Sequence, residues 1–302
     1  MPPVYRPMTV ADIDATTYIR KAALDELARS EGHEPEPWTP RRYPHFEHLL
    51  RTDPDGSWIA ELDGTAVGYA MGFTRGPIWF LAQLFVRPEV HAQGMGAMLL
   101  TRSMDAGQAR DASVFSVVSS TSPLAQALYM RAGMFATAVC YRMHGPLAAL
   151  TTQPRTSARV VHADDRWAER LAALDRHAFG AERTLDHRLY LDASAWPEIE
   201  HLAFGIERDG ALAAYGYVDE DGHIGPLAAF EPDDLRPLLR IAGDWLSARG
   251  VESAYGFFPS NNPTMLAAVL SASWRIQHWT FLKTTAPFGR FDCYLPSGGL
   301  LL

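Results

Sequence analysis

Two stretches of this chain repeat the same local grammar about 145 residues apart, and that duplication constrains the fold more than any other feature. Glu61-Leu-Asp-Gly64 runs into Thr-Ala-Val-Gly-Tyr-Ala-Met-Gly72, and Glu207-Arg-Asp-Gly210 runs into Ala-Leu-Ala-Ala-Tyr-Gly-Tyr-Val218. Each reads as strand, Asp-Gly turn, strand, the signature of an antiparallel hairpin. Upstream and in the same order, Arg6-Pro-Met-Thr-Val-Ala-Asp12 parallels Arg159-Val-Val-His-Ala-Asp-Asp165, each ahead of an apolar-periodic helix. The chain therefore reads as two divergent copies of one α/β unit. A segment rich in Pro, Ser and Thr places a linker at 146–157, between a first domain at 1–145 and a second at 158–302. At 302 residues, each copy is long enough to bury a core of its own.

In the first copy, helices are expected over 11–30 and within 38–51, and strands over 57–62, 66–74 and 77–86. A helix over 94–109, a strand over 113–119, a helix over 122–132 and a strand over 135–143 follow. This order predicts an α/β fold with a mixed sheet and helices on both of its faces. The bulk numbers narrow the function classes. Cys140 and Cys293, the two cysteines, form neither a disulfide framework nor a metal-type spacing, which points to a reducing cytoplasm and no metal. The first residues show no basic stretch before an apolar core, and no apolar run approaches a membrane span, so neither a signal peptide nor a membrane partner is expected. A net charge of -8 argues against nucleic acid as the partner.

The chemistry concentrates in Val86-Arg-Pro-Glu-Val-His-Ala-Gln-Gly-Met-Gly-Ala-Met-Leu-Leu100, where a strand passes through a two-glycine loop into a helix. A helix N-terminus offers unpaired N–H groups and the positive end of a dipole, a ready site for phosphate. Glycines let a backbone approach the phosphate oxygens and adopt positive φ. The loop is neither a Walker A motif nor Gly-x-Gly-x-x-Gly, because Leu99 takes the third glycine's place; a tight strand-to-helix turn accounts for it equally well.

With its flanks, the segment resembles motif A of the GNAT superfamily of N-acetyltransferases, whose loop reads Arg/Gln-x-x-Gly-x-Gly/Ala. Ser122-Pro-Leu-Ala125-Gln-Ala-Leu128-Tyr129-Met-Arg-Ala-Gly133-Met134 resembles motif B of that superfamily, one strand further on. Three positions depart from the family pattern: His91 opens the loop, Ser122 replaces an Asn and Met134 a Phe. The resemblance implies acetyl-CoA as co-substrate. Backbone from Gln93 through Gly94, Met95 and Gly96 to Ala97 would hold its pyrophosphate, with His91 and Ser122 alongside, and Leu84, Phe85 and Val86 would bond the pantetheine arm as an added strand.

The resemblance further implies that Tyr129 protonates the departing thiolate; the alternative is a helix tyrosine satisfied within the core. Where many family members carry a Glu on the strand before the loop, this chain has Gln83, which can orient an amine or water but cannot take its proton. His33 and Trp38, between the first two helices, are candidate acceptor-pocket residues, with His33 the candidate base or a solvated loop residue.

In the second copy, Asn262-Pro-Thr-Met265 through Trp274 parallels motif B, but Val269 replaces the tyrosine. Glu231-Pro-Asp-Asp234 stands where the glycine loop would be. Carboxylates there satisfy the helix dipole and repel a pyrophosphate, so this copy is read as degenerate, supporting the first. Phe179 to Arg183, Trp274, Trp279 and Phe281 are candidates for an acceptor-pocket wall or for core. The expected activity is acetyl transfer from acetyl-CoA to a primary amine, of a small molecule, by direct attack, in a monomer or homodimer. A peptide amine as acceptor and a non-catalytic acyl-CoA-binding or ligand-sensing scaffold are the alternatives.

Overall fold

The computed structural model describes residues 2–35, 37, 44–91, 94–299 and 301. Its contacts gather into two units: residues up to Val117 with Ser122–Phe135, and Val118–Thr121 with Ala136–Leu302. The first unit runs β1 (Val4–Pro7), α1 (Ile13–Ser30), α2 (Pro44–Thr52), β2 (Ser57–Leu62), β3 (Thr65–Arg75), β4 (Ile78–Val86), α3 (Met95–Gln108), β5 (Val114–Ser119) and α4 (Pro123–Arg131). The expected elements are present, with α2 starting at Pro44; residues 38–43 lie outside the described residues. Strands β1 to β5 neighbour one another in order, antiparallel except for the parallel pair β4 and β5, which α3 connects.

The second unit opens with β6 (Phe135–Pro146), whose first residue belongs to the other unit. It continues through β7 (Arg159–His162), α5 (Trp167–Arg170), α6 (Ala172–Ala178), α7 (Thr184–Leu191), β8 (His201–Arg208), β9 (Ala211–Asp219) and β10 (His223–Ala229). It ends with α8 (Leu235–Ser247), β11 (Ser253–Pro259), α9 (Pro263–Ser271), β12 (Arg275–Thr284) and β13 (Tyr294–Leu295). Strands β7 to β11 repeat the pattern of β1 to β5, with a parallel last pair joined by a helix. The duplicated hairpins close alike. Asp63 and Gly64 have φ of 50° and 75°, and Asp209 and Gly210 have 51° and 79°. Two successive left-handed residues make the turn whose twist matches the strands it joins.

The structure redraws the boundary at 145. Strand β6 closes the first copy in sequence but pairs with β11, in register from Pro146↔Ser253 to Cys140↔Pro259, inside the second unit. The segment read as a linker starts with a 3₁₀ turn, Leu147–Thr152. Leu147 and Leu150 fall on one side of it and are buried in the second unit's core with Met143, Leu239 and Trp274. Apolar residues three apart eclipse in such a turn, so they reach the core together. Leu150→Ala is expected to lower unfolding stability by about 2–4 kcal/mol, measured in denaturant, because it opens a cavity in a closed core; at a linker position the loss would be within about 0.5 kcal/mol.

Candidate active site

The first unit's sheet has a deliberate irregularity in β4. Met71 pairs with Gln83, but the next residue along β3, Gly72, pairs with Leu81, so Ala82 is an extra residue, a bulge. Before it, Trp79 and Leu81 lie in the core cluster with Leu99 and Leu100 of α3. After it, Leu84 and Val86 pack on that same cluster. The one-residue shift thus puts Gln83 and Phe85 on the opposite face, with Tyr69 and Phe46 of α2. Parallel pairing with β5 runs from Ile78↔Val114 to Leu81↔Val117 and stops there. From Ala82 to Val86, β4 is bonded among the described residues to β3 alone, which leaves one main-chain edge open to an added strand.

That open edge leads to the glycine loop. Gly94 caps α3 with φ 76°, and a Cβ there would meet nothing within 4 Å. At Gly96, a Cβ would meet only Leu128 Cδ2 at 3.7 Å and Val86 Cγ2 at 3.9 Å, ordinary contacts. The first glycine is required by its conformation; the second is not required by the protein's own packing. The first-turn N–H groups of α3 are not bonded within the helix, which begins its ladder with Met98 N–H to Gly94 O at 3.1 Å. His91 does not join this cradle. Its Nε2 lies 3.0 Å from the Val86 carbonyl, so its ring closes the end of β4. Gln93 lies outside the described residues.

Helix α4 supplies the next groups. Ser122 is its N-cap residue, but its side chain makes no capping bond; only its carbonyl is engaged, by Gln126 N–H at 2.9 Å. Tyr129 is 5 % exposed and belongs to the cluster that holds Met95 of α3 and, at its edge, Leu84 and Val86 of β4. The fold therefore gathers the strand end, the loop and the tyrosine that lie up to 45 residues apart in sequence. No residue among those described bonds the Tyr129 hydroxyl, and burial raises its pKa above the ordinary phenol value. It is a protonated donor at neutral pH. Gln83 is held on both sides: Nε2 donates to the Ala82 carbonyl at 2.7 Å and Oε1 accepts from the Tyr69 hydroxyl at 3.2 Å. His33 is exposed just past α1, and among the described residues its imidazole has no polar partner. Trp38 lies outside the described residues.

The sequence pattern of the acetyltransferase (GNAT) family matches residues 21–134, the stretch that carries this strand, loop and tyrosine. That stretch, less than half of the chain, is similar to the GNAT family. An uncharacterized N-acetyltransferase of Archaeoglobus fulgidus is 35 % identical over 68 residues, 20 % of this chain and 46 % of that one, so the chain spans less than half of this relative. A crystal structure of an acetyltransferase assigned in Pyrococcus horikoshii superposes with a TM-score of 0.71 at 19 % identity, covering 99 % of this chain and 94 % of the other. A tandem GNAT protein from the clavulanic acid biosynthesis pathway superposes at 0.56 with 17 % identity, covering 95 % and 99 %. These two likenesses are of fold, and they extend the GNAT architecture over both copies.

The second copy is closed where the first is open. Strand β10 pairs with β11 at His223 and Ile224 and then loses it. From there β13 takes the edge, antiparallel, with Leu295 on Leu227 and Tyr294 on Ala228, and Ala229 N–H bonds the Cys293 carbonyl at 3.0 Å. The chain's own tail thus satisfies the edge that β4 leaves free. Asn262, the motif B asparagine of this copy, caps α9 by accepting from Met265 N–H at 3.1 Å. Its amide nitrogen donates to the Phe291 and Asp292 carbonyls at 2.9 and 3.1 Å, which anchors the tail.

Arg183 donates to the Tyr294 and Tyr215 hydroxyls, both at 2.7 Å, and pairs with Asp175, which His187 also bonds at 2.7 Å. All of these side chains are buried. Burial alone would raise the Asp175 pKa, but His187 and Arg183 outweigh it and hold it at about 2. Phe179, Arg183 and Trp274, candidates for a pocket wall, are therefore core residues of the second unit, whereas Trp279 is half exposed. Asp234 sits at the N-terminus of α8, held by Arg208, as expected of a carboxylate in place of a phosphate.

The tail and the Asp175 cluster carry no sequence motif. Their signal was confined to Asn262, whose partners lie about 30 residues away. The two loop glycines are expected to separate on substitution. Gly94→Ala, at positive φ, should lower stability by about 1–2 kcal/mol. Gly96→Ala should be neutral or stabilising by up to about 1 kcal/mol, as for any open helical position, in parallel denaturant titrations.

Proposed function

We propose that the first unit transfers an acetyl group from acetyl-CoA to a primary amine of a small molecule. The observation that carries this is the continuity of β4's open edge with the N-terminus of α3, over glycines that the protein's own packing leaves clear. An extended pantetheine arm can bond the main chain of Leu84, Phe85 and Val86 as an added strand. Its pyrophosphate then meets the N–H groups of Met95, Gly96 and Ala97, where the dipole and the orphan donors favour negative charge. Ser122 at the start of α4 flanks this cradle. His91 takes part indirectly, by holding the Val86 carbonyl.

The amine, as free base, attacks the acetyl carbonyl. Main-chain N–H groups of β4 stabilise the oxyanion, and collapse breaks the carbon–sulfur bond. Tyr129 gives its proton to the thiolate, the nitrogen's surplus proton leaves to solvent, and Tyr129 takes one back from solvent. Amide and thiol are the products, with no covalent enzyme intermediate. Gln83 hydrogen-bonds the acceptor, and His33 is a candidate for the acceptor side. The second unit stiffens the chain and takes no donor, because β13 occupies the corresponding edge. Such a protein acts in the cytoplasm, where acetyl-CoA is at hand.

Calorimetric titration of acetyl-CoA tests the donor site. The wild type should bind at one site per chain, and a folded Gly94→Glu, Gly96→Glu variant should not, because a carboxylate replaces the phosphate at the dipole. No binding to the wild type refutes the reading. Binding without turnover over an amine panel favours an acyl-CoA-sensing scaffold, and turnover of peptides alone moves the acceptor class. With an acceptor in hand, Tyr129→Phe should lower kcat about 10²–10⁴-fold with little change in acetyl-CoA affinity. The rate should not fall at alkaline pH through Tyr129 below about pH 10, since its pKa is raised from that value.

A further inference from the structure

Gln83 invites reading as a damaged carboxylate base, but its surroundings are built for an amide. The bulge at Ala82 that turns Gln83 onto the α2 face also brings the Ala82 carbonyl to 2.7 Å from Nε2. A carbonyl can only accept, so the nitrogen end of the amide is fixed on chemical grounds. The oxygen end then accepts from Tyr69. Tyr69 is fully buried, with the Phe46 ring edge-on at 6.2 Å and the Phe85 ring at 5.9 Å, and has no room to swing. Among the described residues these are the polar contacts of Gln83.

We propose that Tyr69 is a positioning residue which, with the Ala82 carbonyl, clamps Gln83 as a neutral amide, so that the acceptor must arrive at β4 as a free amine. A carboxylate at this position would set an anionic oxygen against the Ala82 carbonyl with no proton between them. The clamp stands on geometry alone; its consequence for the acceptor rests on the acetyl-transfer reading. That consequence names a substrate class. At neutral pH an α-amino group, with a pKa of about 7.7–8.0, is roughly 10–15 % neutral, whereas a lysine amine, at about 10.4, is only ~0.04 % neutral. A site with no base on β4 therefore favours weakly basic amines of the α-amino kind over lysine-type amines by about two orders of magnitude.

The clamp is tested without turnover, by thermal melts of the wild type, Gln83→Glu, Tyr69→Phe and the double variant between about pH 4, below the ordinary glutamate pKa, and about pH 8.5. At the acid end the new carboxyl is protonated, can donate to the Ala82 carbonyl, and should melt with the wild type. At the alkaline end it should melt about 4–8 °C lower. The sign follows from linkage: a folded-state pKa raised by the carbonyl gives stability that is present below the ordinary carboxylate range and lost as pH rises through the raised value. Tyr69→Phe should widen the alkaline deficit of Gln83→Glu, because it removes the hydroxyl that still donates to the carboxylate.

Other titratable groups on the elements packed against this face are Asp14, Tyr18, Arg20, Lys21, Asp25, Glu26 and Arg29 on α1, of which Lys21 and Asp25 form an ion pair, and His45, Glu47, His48 and Arg51 on α2. They are common to all variants and cancel in the differences. A Gln83→Glu protein that melts with the wild type throughout, or a deficit independent of pH, overturns the clamp. In the amine panel, a lysine-type amine acetylated as fast at neutral pH as an α-amine overturns the substrate class. Failure of acetyl-CoA to bind removes the function proposed above, and the melts still decide the clamp.

Discussion

Main-chain hydrogen bonding along the second half of a sheet's fourth strand is the constraint on which this protein's organisation turns. A strand that parts from its parallel neighbour exposes a row of N–H and C=O groups that must find partners. The first unit leaves that row open past Leu81, with no strand paired to that side among the described residues. The second unit meets the same requirement with its tail, laying β13 on β10. One chain thus contains two arrangements of one edge, open in the first copy and covered by the tail in the second, a difference visible in the backbone before any side chain is considered.

The side chains then follow the backbone. In the second copy Asn262, Arg183 and Tyr294 all hold the tail, and Asp234 with Arg208 fills the place of an anion at the helix N-terminus. In the first copy the corresponding groups are uncommitted among the described residues. The glycines leave space, Ser122 makes no cap with its side chain, and the Tyr129 hydroxyl has no protein partner among the described residues. Residues that hold their own chain cannot hold a ligand, which explains why a motif B asparagine survives in the copy without a glycine loop.

The bulge at Ala82 has a comparable reach. One extra residue inverts the alternation of β4, so the strand feeds the α3 core with Trp79 and Leu81 before it and with Leu84 and Val86 after it. It also presents Gln83 and Phe85 to the opposite face. One strand thereby serves both faces of the sheet, and the Ala82 carbonyl at the bulge fixes the Gln83 amide.

The sequence by itself determined the duplicated unit, the order of strands and helices, the loop and Tyr129, because each is written in local periodicity, in Asp-Gly turns or in short fixed spacings. The Asp-Gly pairs required left-handed residues and received them at both hairpins. The tertiary structure alone decided four things: that β6 and Leu150 serve the second unit, that β13 closes its edge, that His91 turns back on Val86, and that Gln83 lies between Tyr69 and Ala82. Each depends on partners distant in sequence or on a one-residue shift in register. The physical reason is that strand pairing is blind to composition: an apolar run such as Ile78–Val86 reads the same with or without a bulge. Which edge is open, and what covers it, is fixed only when the strands meet.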